Sequence, residues 1–157
     1  MNKQTRRSFL KTSLYTGATV AWTAKSWGQV KGANETLRCA TVGFRSRGGS
    51  HISSITGMQK REQGVKLTAL CDVDKKVLDA GAAKHKVKGY QDIREMLEKE
   101  DLDVVTVATP NHWHSLAAIW AIQAGKDVYV EKPVSHNVWE GRQLVNAARK
   151  YKKIVQT

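Results

Sequence analysis

Two short segments, each containing one of the chain's two prolines, hold side chains that could do chemistry. Residues 109–114 read Thr-Pro-Asn-His-Trp-His, and residues 131–133 read Glu-Lys-Pro. In the first segment, Asn111 offers an amide that can both donate and accept hydrogen bonds. In the second, Lys132 could hydrogen-bond a substrate hydroxyl and exchange a proton with it. The alternative for Lys132 is an ordinary surface lysine that pairs with Glu131.

The two histidines of the first segment, His112 and His114, raise the question of a metal ion. Zinc sites in proteins use three or four protein ligands, and these two histidines have neither a third ligand nor a carboxylate nearby. We therefore expect no metal site, and we interpret both histidines as surface or helix-capping residues.

A glycine-containing turn earlier in the chain is suited to binding phosphate. Gly43 and Gly48 match the first and third glycines of G-x-G-x-x-G, the turn that holds a pyrophosphate at a helix N-terminus. Arg45 stands at the middle position, where a glycine normally lets the backbone approach the pyrophosphate, and it offers positive charge instead. A tight strand-to-helix turn in any α/β domain is an equally good interpretation of the glycines alone.

A carboxylate follows this turn at a distance typical of dinucleotide-binding domains. Asp72 lies 24 residues after Gly48 and directly after an apolar run. A carboxylate in this position can accept both ribose hydroxyls of an adenosine, which favours NAD over NADP. Arg45 and Arg47 leave NADP as an alternative. Asp72 could also simply cap the next helix, although Asp74 is available for that role.

The elements around these residues alternate between short apolar runs and longer amphipathic stretches. Strands are predicted at 37–42, 65–71, 87–90, 104–108, 128–130 and from 154, and helices at 50–61, 74–86, 92–99, 113–124 and 137–152. This alternation predicts an α/β fold with a doubly wound, Rossmann-like parallel sheet in the order 3-2-1-4-5-6, ending in strand six. The carboxyl ends of parallel strands share one rim, so the four candidate segments should meet there.

Two further features of this fold can be predicted. Cys39 lies early in the first strand and Cys71 at the end of the second, so the two lie at opposite ends of neighbouring strands, and we expect buried free thiols and no disulfide. The last helix shows one apolar face, made of Leu144, Val145, Ala148 and Tyr151.

Composition excludes some classes of partner. The 157 residues suffice for one domain, and the net charge is +12. No basic stripe with interleaved aromatic residues is present, so a nucleic-acid partner is not expected. A basic surface near a phosphate ligand is the simpler explanation of the charge.

The first residues read as an export signal. Residues 5–11, Thr-Arg-Arg-Ser-Phe-Leu-Lys, fit a twin-arginine signal, and the apolar stretch 12–24 is too short to span a membrane. We expect residues 1–30 to be a signal and linker without a transmembrane anchor, and residues 36–157 to be the folded domain. This route carries folded proteins, which suits a periplasmic or otherwise exported protein that acquires its cofactor in the cytoplasm.

Taken together, these segments resemble the N-terminal domain of the Gfo/Idh/MocA oxidoreductases. The resemblance rests on Thr-Pro-Asn-His-Trp-His and on the run 124–135, Ala-Gly-Lys-Asp-Val-Tyr-Val-Glu-Lys-Pro-Val-Ser, and it extends from about Leu37 to Thr157. Arg45 is the departure, because the family usually has glycine there.

The resemblance implies a role for each candidate residue. The implied cofactor-binding residues are Gly43, Gly48, Asp72, Pro110, Asn111, His114, Glu131 and Lys132, and we add Arg45 because of the charge it offers to phosphate. Gly43 and Gly48 would shape the phosphate turn, and Asp72 would bind the adenosine ribose of NAD. Lys132 would be catalytic, touching the reacting hydroxyl of a sugar or polyol substrate.

The resemblance also implies a second, C-terminal α/β domain that supplies further acid–base residues and is absent from these 157 residues. We therefore expect little turnover from this chain alone, and a homo-oligomer of the full-length enzyme stays open. Three functions stay open: a sugar or polyol dehydrogenase, an NAD-dependent glycosidase of the same superfamily, and a non-catalytic fragment that binds nucleotide.

Overall fold

The computed structural model describes residues 36–157, so the export signal predicted at the N-terminus lies outside the described residues. Strands and helices alternate along this part of the chain. They are β1 (Leu37–Val42), α1 (Arg47–Lys60), β2 (Val65–Cys71), α2 (Lys75–His85), β3 (Lys88–Tyr90), α3 (Ile93–Lys99), β4 (Val104–Val107), α4 (Asn111–Gln123), β5 (Asp127–Val130), α5 (Val138–Tyr151) and β6 (Val155–Gln156).

The strands form one parallel sheet in the order β3-β2-β1-β4-β5-β6. This confirms the doubly wound, Rossmann-like topology. The chain crosses over between β3 and β4, so that β1 and β4 become neighbours at the centre of the sheet. A crevice opens at this crossover, beyond the carboxyl ends of the two strands.

Both faces of the sheet are covered by helices. One core cluster includes Ile52 and Ile55 of α1 with Leu78 of α2, and the other includes Met96 of α3 with Ile122 of α4. Burial on both faces explains the run of β-branched residues in β4. None of the helices within residues 36–157 is long and apolar enough to cross a membrane.

The two cysteines lie in different core clusters, Cys39 in one and Cys71 in the other, and both are free thiols. This confirms the prediction of buried, unpaired cysteines. Burial raises the pKa of the Cys39 thiol to about 11 and that of Cys71 to about 12, so both remain protonated and unreactive at neutral pH.

The apolar face predicted for the last helix is wrong in part. Leu144 and Ala147 of α5 are buried, whereas Val145 and Tyr151 are each 38% exposed. The helix therefore packs through a narrower stripe than the sequence pattern indicated.

The basic residues are distributed differently from what the sequence suggested. Five lysines line a cavity of about 610 Å³ at the amino ends of β2 and β3, which we call the lysine groove: Lys60, Lys66, Lys84, Lys86 and Lys88. Arg45 in the glycine turn, Arg47 directly after it, Arg94 and Lys132 line the cleft at the opposite ends of the strands, so the positive charge is divided between the two cavities.

Candidate functional site

A cleft of about 1030 Å³ opens beyond the carboxyl ends of β1, β2, β4 and β5. Its size is at the upper end of the range of about 300–1,000 Å³ that is typical of ligand pockets, which suits an elongated ligand. Eight of the nine candidate cofactor residues line it, namely Gly43, Arg45, Asp72, Pro110, Asn111, His114, Glu131 and Lys132. Gly48, the ninth, does not line the cleft but packs closely against the backbone carbonyl of Gly43.

The glycine turn between β1 and α1 is packed too tightly for side chains at either glycine. Gly43 has a φ of +74°, and a Cβ there would lie 2.9 Å from the Cα of Thr109, which follows β4. A Cβ on Gly48 would lie 2.0 Å from the carbonyl oxygen of Gly43. The two glycines therefore allow β1, β4 and α1 to approach one another closely at the base of the cleft.

Helices α1 and α4 begin at this cleft without a side-chain cap, and both begin earlier than predicted. The residues before them, Ser46 and Pro110, make no capping hydrogen bond with their side chains. The prediction started these helices at 50 and 113, whereas they start at Arg47 and Asn111. Uncapped N-terminal amides that face a cavity favour a negatively charged ligand.

Asp72 is buried and positions the turn. Its Oδ2 accepts a hydrogen bond from the backbone N–H of Phe44 at 3.0 Å, and its Oδ1 accepts one from the N–H of Asp74 at 3.0 Å. Asp74 caps α2, because its Oδ1 accepts from the N–H of Lys76 at 3.0 Å. The capping role considered for Asp72 thus belongs to Asp74.

Arg45 turns toward this second carboxylate. Its Nη2 lies 3.1 Å from Oδ2 of Asp74, and the arginine side chain is 77% exposed. Arg45, at the middle position of the glycine motif, is therefore already paired with Asp74, and both side chains line the same cleft as Asp72.

Glu131 forms its hydrogen bonds with side chains of α1 and not with Lys132. Its Oε1 accepts a hydrogen bond from Nε of Arg47 at 2.9 Å and lies 2.8 Å from Nε2 of His51. The hydrogen bond with His51, followed by the one with Arg47, lowers the pKa of Glu131 and keeps it ionised. Lys132 is exposed and has no ion pair within residues 36–157, so the pairing with Glu131 that the alternative proposed is not formed.

His51 is a site residue that the sequence analysis did not identify. Its ring packs edge-on against Tyr129 of β5 at a centroid distance of 5.3 Å, and its Nδ1 is buried without a hydrogen-bond partner among the described residues. The available signal was its position four residues after Arg47, which places both on one face of α1. Nothing in the sequence linked that face to Glu131.

His114 joins the two loops that carry the other candidate residues. It is 2% exposed; its Nε2 lies 2.7 Å from the carbonyl oxygen of Thr109 and its Nδ1 lies 2.7 Å from that of Pro133. Next to it, the Ser115 hydroxyl donates to the carbonyl of Val134 at 3.0 Å. His114 thus borders the cleft with both ring nitrogens committed to backbone, which differs from the surface or capping role considered for it.

An aromatic wall completes the cleft. Trp113 and Trp120 of α4 lie 6.2 Å apart between ring centroids, and the guanidinium of Arg94 lies 5.5 Å above the Trp120 ring. His112 is exposed on the same helix, beside Trp113. No cluster of three or more His, Cys, Asp or Glu side chains that could hold a metal occurs in the described part of the chain.

A doubly wound sheet with a glycine turn, a carboxylate after β2 and a cleft at the crossover defines the class of dinucleotide-binding domains. Within that class, the chain belongs to the Gfo/Idh/MocA oxidoreductase family, whose model, an oxidoreductase family with an NAD-binding Rossmann fold, matches residues 37–157.

Relatives and solved structures agree with this assignment. A glycosyl hydrolase family 109 protein of Solibacter usitatus is 34% identical over 94% of this chain and 37% of its own length. An alpha-N-acetylgalactosaminidase of Shewanella oneidensis is 32% identical over 76% of this chain and 27% of its own. The WlbA dehydrogenase of Bordetella pertussis, solved with NADH and UDP-GlcNAcA, is 26% identical with a TM-score of 0.72, over 77% of this chain and 36% of that one.

The chain thus spans about a third of the length of these relatives, between 27% and 37%.

Proposed function

We propose that these residues form the NAD-binding half of an exported oxidoreductase that acts on a hydroxyl of a sugar or polyol. The observation that carries the proposal is the convergence on one cleft of the glycine turn, Asp72, Asn111 and Lys132. These groups come from the ends of four different strands.

The residues of the cleft fit a dinucleotide. The turn closed by Gly43 and Gly48 leaves backbone and the uncapped start of α1 facing the cavity, which suits a pyrophosphate. Each Asp72 oxygen accepts one backbone N–H and keeps a lone pair that can accept a ribose hydroxyl. Val73 beside it is 82% exposed and offers an apolar surface to the adenine.

The other end of the cleft has the groups that a nicotinamide site needs. When bound, NAD⁺ supplies a hydride acceptor. Asn111 would orient the ligand by its amide. Glu131 is anchored through Oε1 and can accept a hydrogen bond at Oε2. Lys132 lines the cavity without an ion pair among residues 36–157; it would hold the substrate hydroxyl and, as the neutral amine, would take its proton.

A second candidate is an NAD-dependent glycosidase, in which a sugar is oxidised transiently and the cofactor is restored. The names of two similar proteins, a glycosyl hydrolase family 109 protein and an alpha-N-acetylgalactosaminidase, favour it. Both candidates use the same cleft, so they differ only in cofactor balance: a dehydrogenase releases net NADH, and a glycosidase cleaves a glycoside without net change.

Export through the twin-arginine route is part of the proposal and rests on residues 5–11. Fusing residues 1–35 to a reporter that folds only in the cytoplasm tests it. The reporter should reach the periplasm, and replacing Arg6 and Arg7 by lysine should retain it inside. Equal export of both fusions would contradict this part.

Nucleotide binding is tested by tryptophan fluorescence of the 157-residue chain. Trp113 and Trp120 line the cleft, whereas Trp139 is 70% exposed and does not line it. NAD⁺ should change the emission saturably, the change should disappear in Trp113→Phe/Trp120→Phe, and Trp139→Phe should retain it. Absence of both a saturable change and a rise in melting temperature with NAD⁺ would overturn the proposal. Turnover with sugars should be low, because family members draw substrate contacts from their second domain.

A further inference from the structure

The departure of this chain from the usual glycine motif brings two charged side chains together at one end of the cleft. Arg45 replaces the middle glycine, and its Nη2 lies 3.1 Å from Oδ2 of Asp74. Both side chains line the cleft next to Asp72. The pair therefore lies where, under the proposed function, the adenosine ribose would bind.

The two carboxylate oxygens of Asp74 have separate tasks. Oδ1 caps helix α2 by accepting from the N–H groups of Lys76 and Val77, at 3.0 and 3.4 Å. Oδ2 faces Arg45. Asparagine caps a helix as well as aspartate does, so capping alone does not explain why a charged residue stands at this position.

In dinucleotide-binding domains an arginine near the end of the second strand accommodates the 2′-phosphate of NADP. Arg45 has the reach and the charge for that task, yet here its charge is compensated. A 2′-phosphate entering this corner would meet the carboxylates of Asp72 and Asp74 and an arginine already committed to one of them.

We propose that Asp74 is a specificity-determining residue that excludes NADP by holding Arg45. The inference rests on the proposed function, since it assumes that the dinucleotide lies in this cleft. It explains the preference for NAD by two carboxylates with different roles. Asp72 accepts hydrogen bonds from the ribose hydroxyls, and Asp74 pairs with Arg45, so that the arginine is not available to a 2′-phosphate.

The test is Asp74→Asn in the 157-residue chain, with dissociation constants for NAD⁺ and NADP⁺ measured by fluorescence or calorimetry. The amide oxygen keeps the cap, and the lost charge releases Arg45. The ratio of NADP⁺ to NAD⁺ affinity should rise about fivefold, the upper value for an exposed ion pair. The gain should shrink at high salt, because the new contact is exposed and ionic. If Asp74→Asn does not fold, Asp74→Ser keeps a cap and serves the same test.

Two further variants decide whether Arg45 carries the effect. Adding Arg45→Gln to Asp74→Asn should abolish the gain in NADP⁺ affinity. Asp79→Asn is the matched control: it removes one negative charge from the same helix, where Asp79 pairs with Lys75 outside the cleft lining, and should leave the ratio unchanged.

The possible outcomes distinguish failure of the role assigned to Asp74 from failure of the proposed function. If the wild-type chain binds neither nucleotide, the proposed function fails and the inference fails with it. If NAD⁺ binds and Asp74→Asn leaves the ratio unchanged, or if the gain survives in Arg45→Gln/Asp74→Asn, only the role of the Arg45–Asp74 pair is overturned.

Discussion

The two ends of the sheet both carry a charged cavity, but the charges are organised in opposite ways. In the cleft at the carboxyl ends, Glu131 is fixed by His51 and Arg47, and Asp72 by two backbone N–H groups. In the lysine groove at the amino ends, the lysines are exposed, and only Lys88 has an ion pair among the described residues, with Glu100.

The difference teaches that charge by itself does not locate a site. Lys84 and Lys86 stand at the C-terminal end of α2 and Lys60 at that of α1, where cations stabilise the helix dipole. The groove thus has a structural explanation. The cleft differs, because Asp72 and Glu131 are held in fixed positions by hydrogen bonds and the helices that begin there have no side-chain cap.

The largest expected effect compares glycines at the two ends. Gly48→Ala should destabilise the chain by about 3 kcal/mol, because its Cβ would lie 2.0 Å from a backbone oxygen. Gly64→Ala, in the turn before β2, should lose only about 1 kcal/mol, since its Cβ would meet no atom within 4 Å and only the φ of +65° is unfavourable. Urea unfolding measures both. Equal losses would mean that the glycine turn is not closely packed.

A second comparison pairs two carboxylates that each secure the end of a strand. Asp72→Asn turns an amide NH₂ toward a backbone N–H, so stability should fall by about 1–3 kcal/mol. NAD⁺ affinity should fall about tenfold as the ribose acceptor is lost. Asp103 lies just before β4 and accepts hydrogen bonds from the guanidinium and the backbone N–H of Arg38. Asp103→Asn should therefore reduce stability without weakening NAD⁺ binding. Weaker NAD⁺ binding in both variants would remove the distinction between the two ends.

A third comparison concerns pH. The pKa of Glu131 is lowered by His51 and Arg47, and that of Glu100 by Lys88 and Tyr90. Each carboxylate therefore stabilises the fold above the ordinary glutamate pKa, and the effect is lost as pH falls through the lowered value. Glu131→Gln and Glu100→Gln should each lower Tm by about 4 °C at pH 7.

The same two variants should differ in binding. The loss in Tm should shrink for both below about pH 4, where the wild-type carboxylates become protonated. Only Glu131→Gln should also weaken NAD⁺, because only Glu131 borders the cleft. A pH-independent loss in Tm for Glu131→Gln would contradict the ionised state assigned to it.

The sheet was predictable from sequence, whereas the side-chain network of the cleft was not. The strand order follows from apolar runs, and the bounds of β1 and β2 were predicted correctly because turn residues flank them. The starts of α1 and α4 were missed because no side chain caps them. The contact between His51 and Glu131 joins residues 80 positions apart, which no local pattern can reveal.

The smallest expected effect tests whether the lysine groove contributes to nucleotide binding at a distance. β2 has seven residues and runs from the groove to the cleft, so the two cavities lie about 20 Å apart, well beyond the screening length of about 8 Å at physiological salt. Lys60→Gln/Lys84→Gln should therefore change NAD⁺ affinity by less than about twofold and stability by about 0.5 kcal/mol or less.

The variant for comparison is Arg47→Gln, which removes one charge at the start of α1. It should weaken NAD⁺ binding more than both lysine changes together. If the lysine variant weakened NAD⁺ as much as Arg47→Gln, the basic charge of the whole domain, rather than the fixed groups of the cleft, would govern binding.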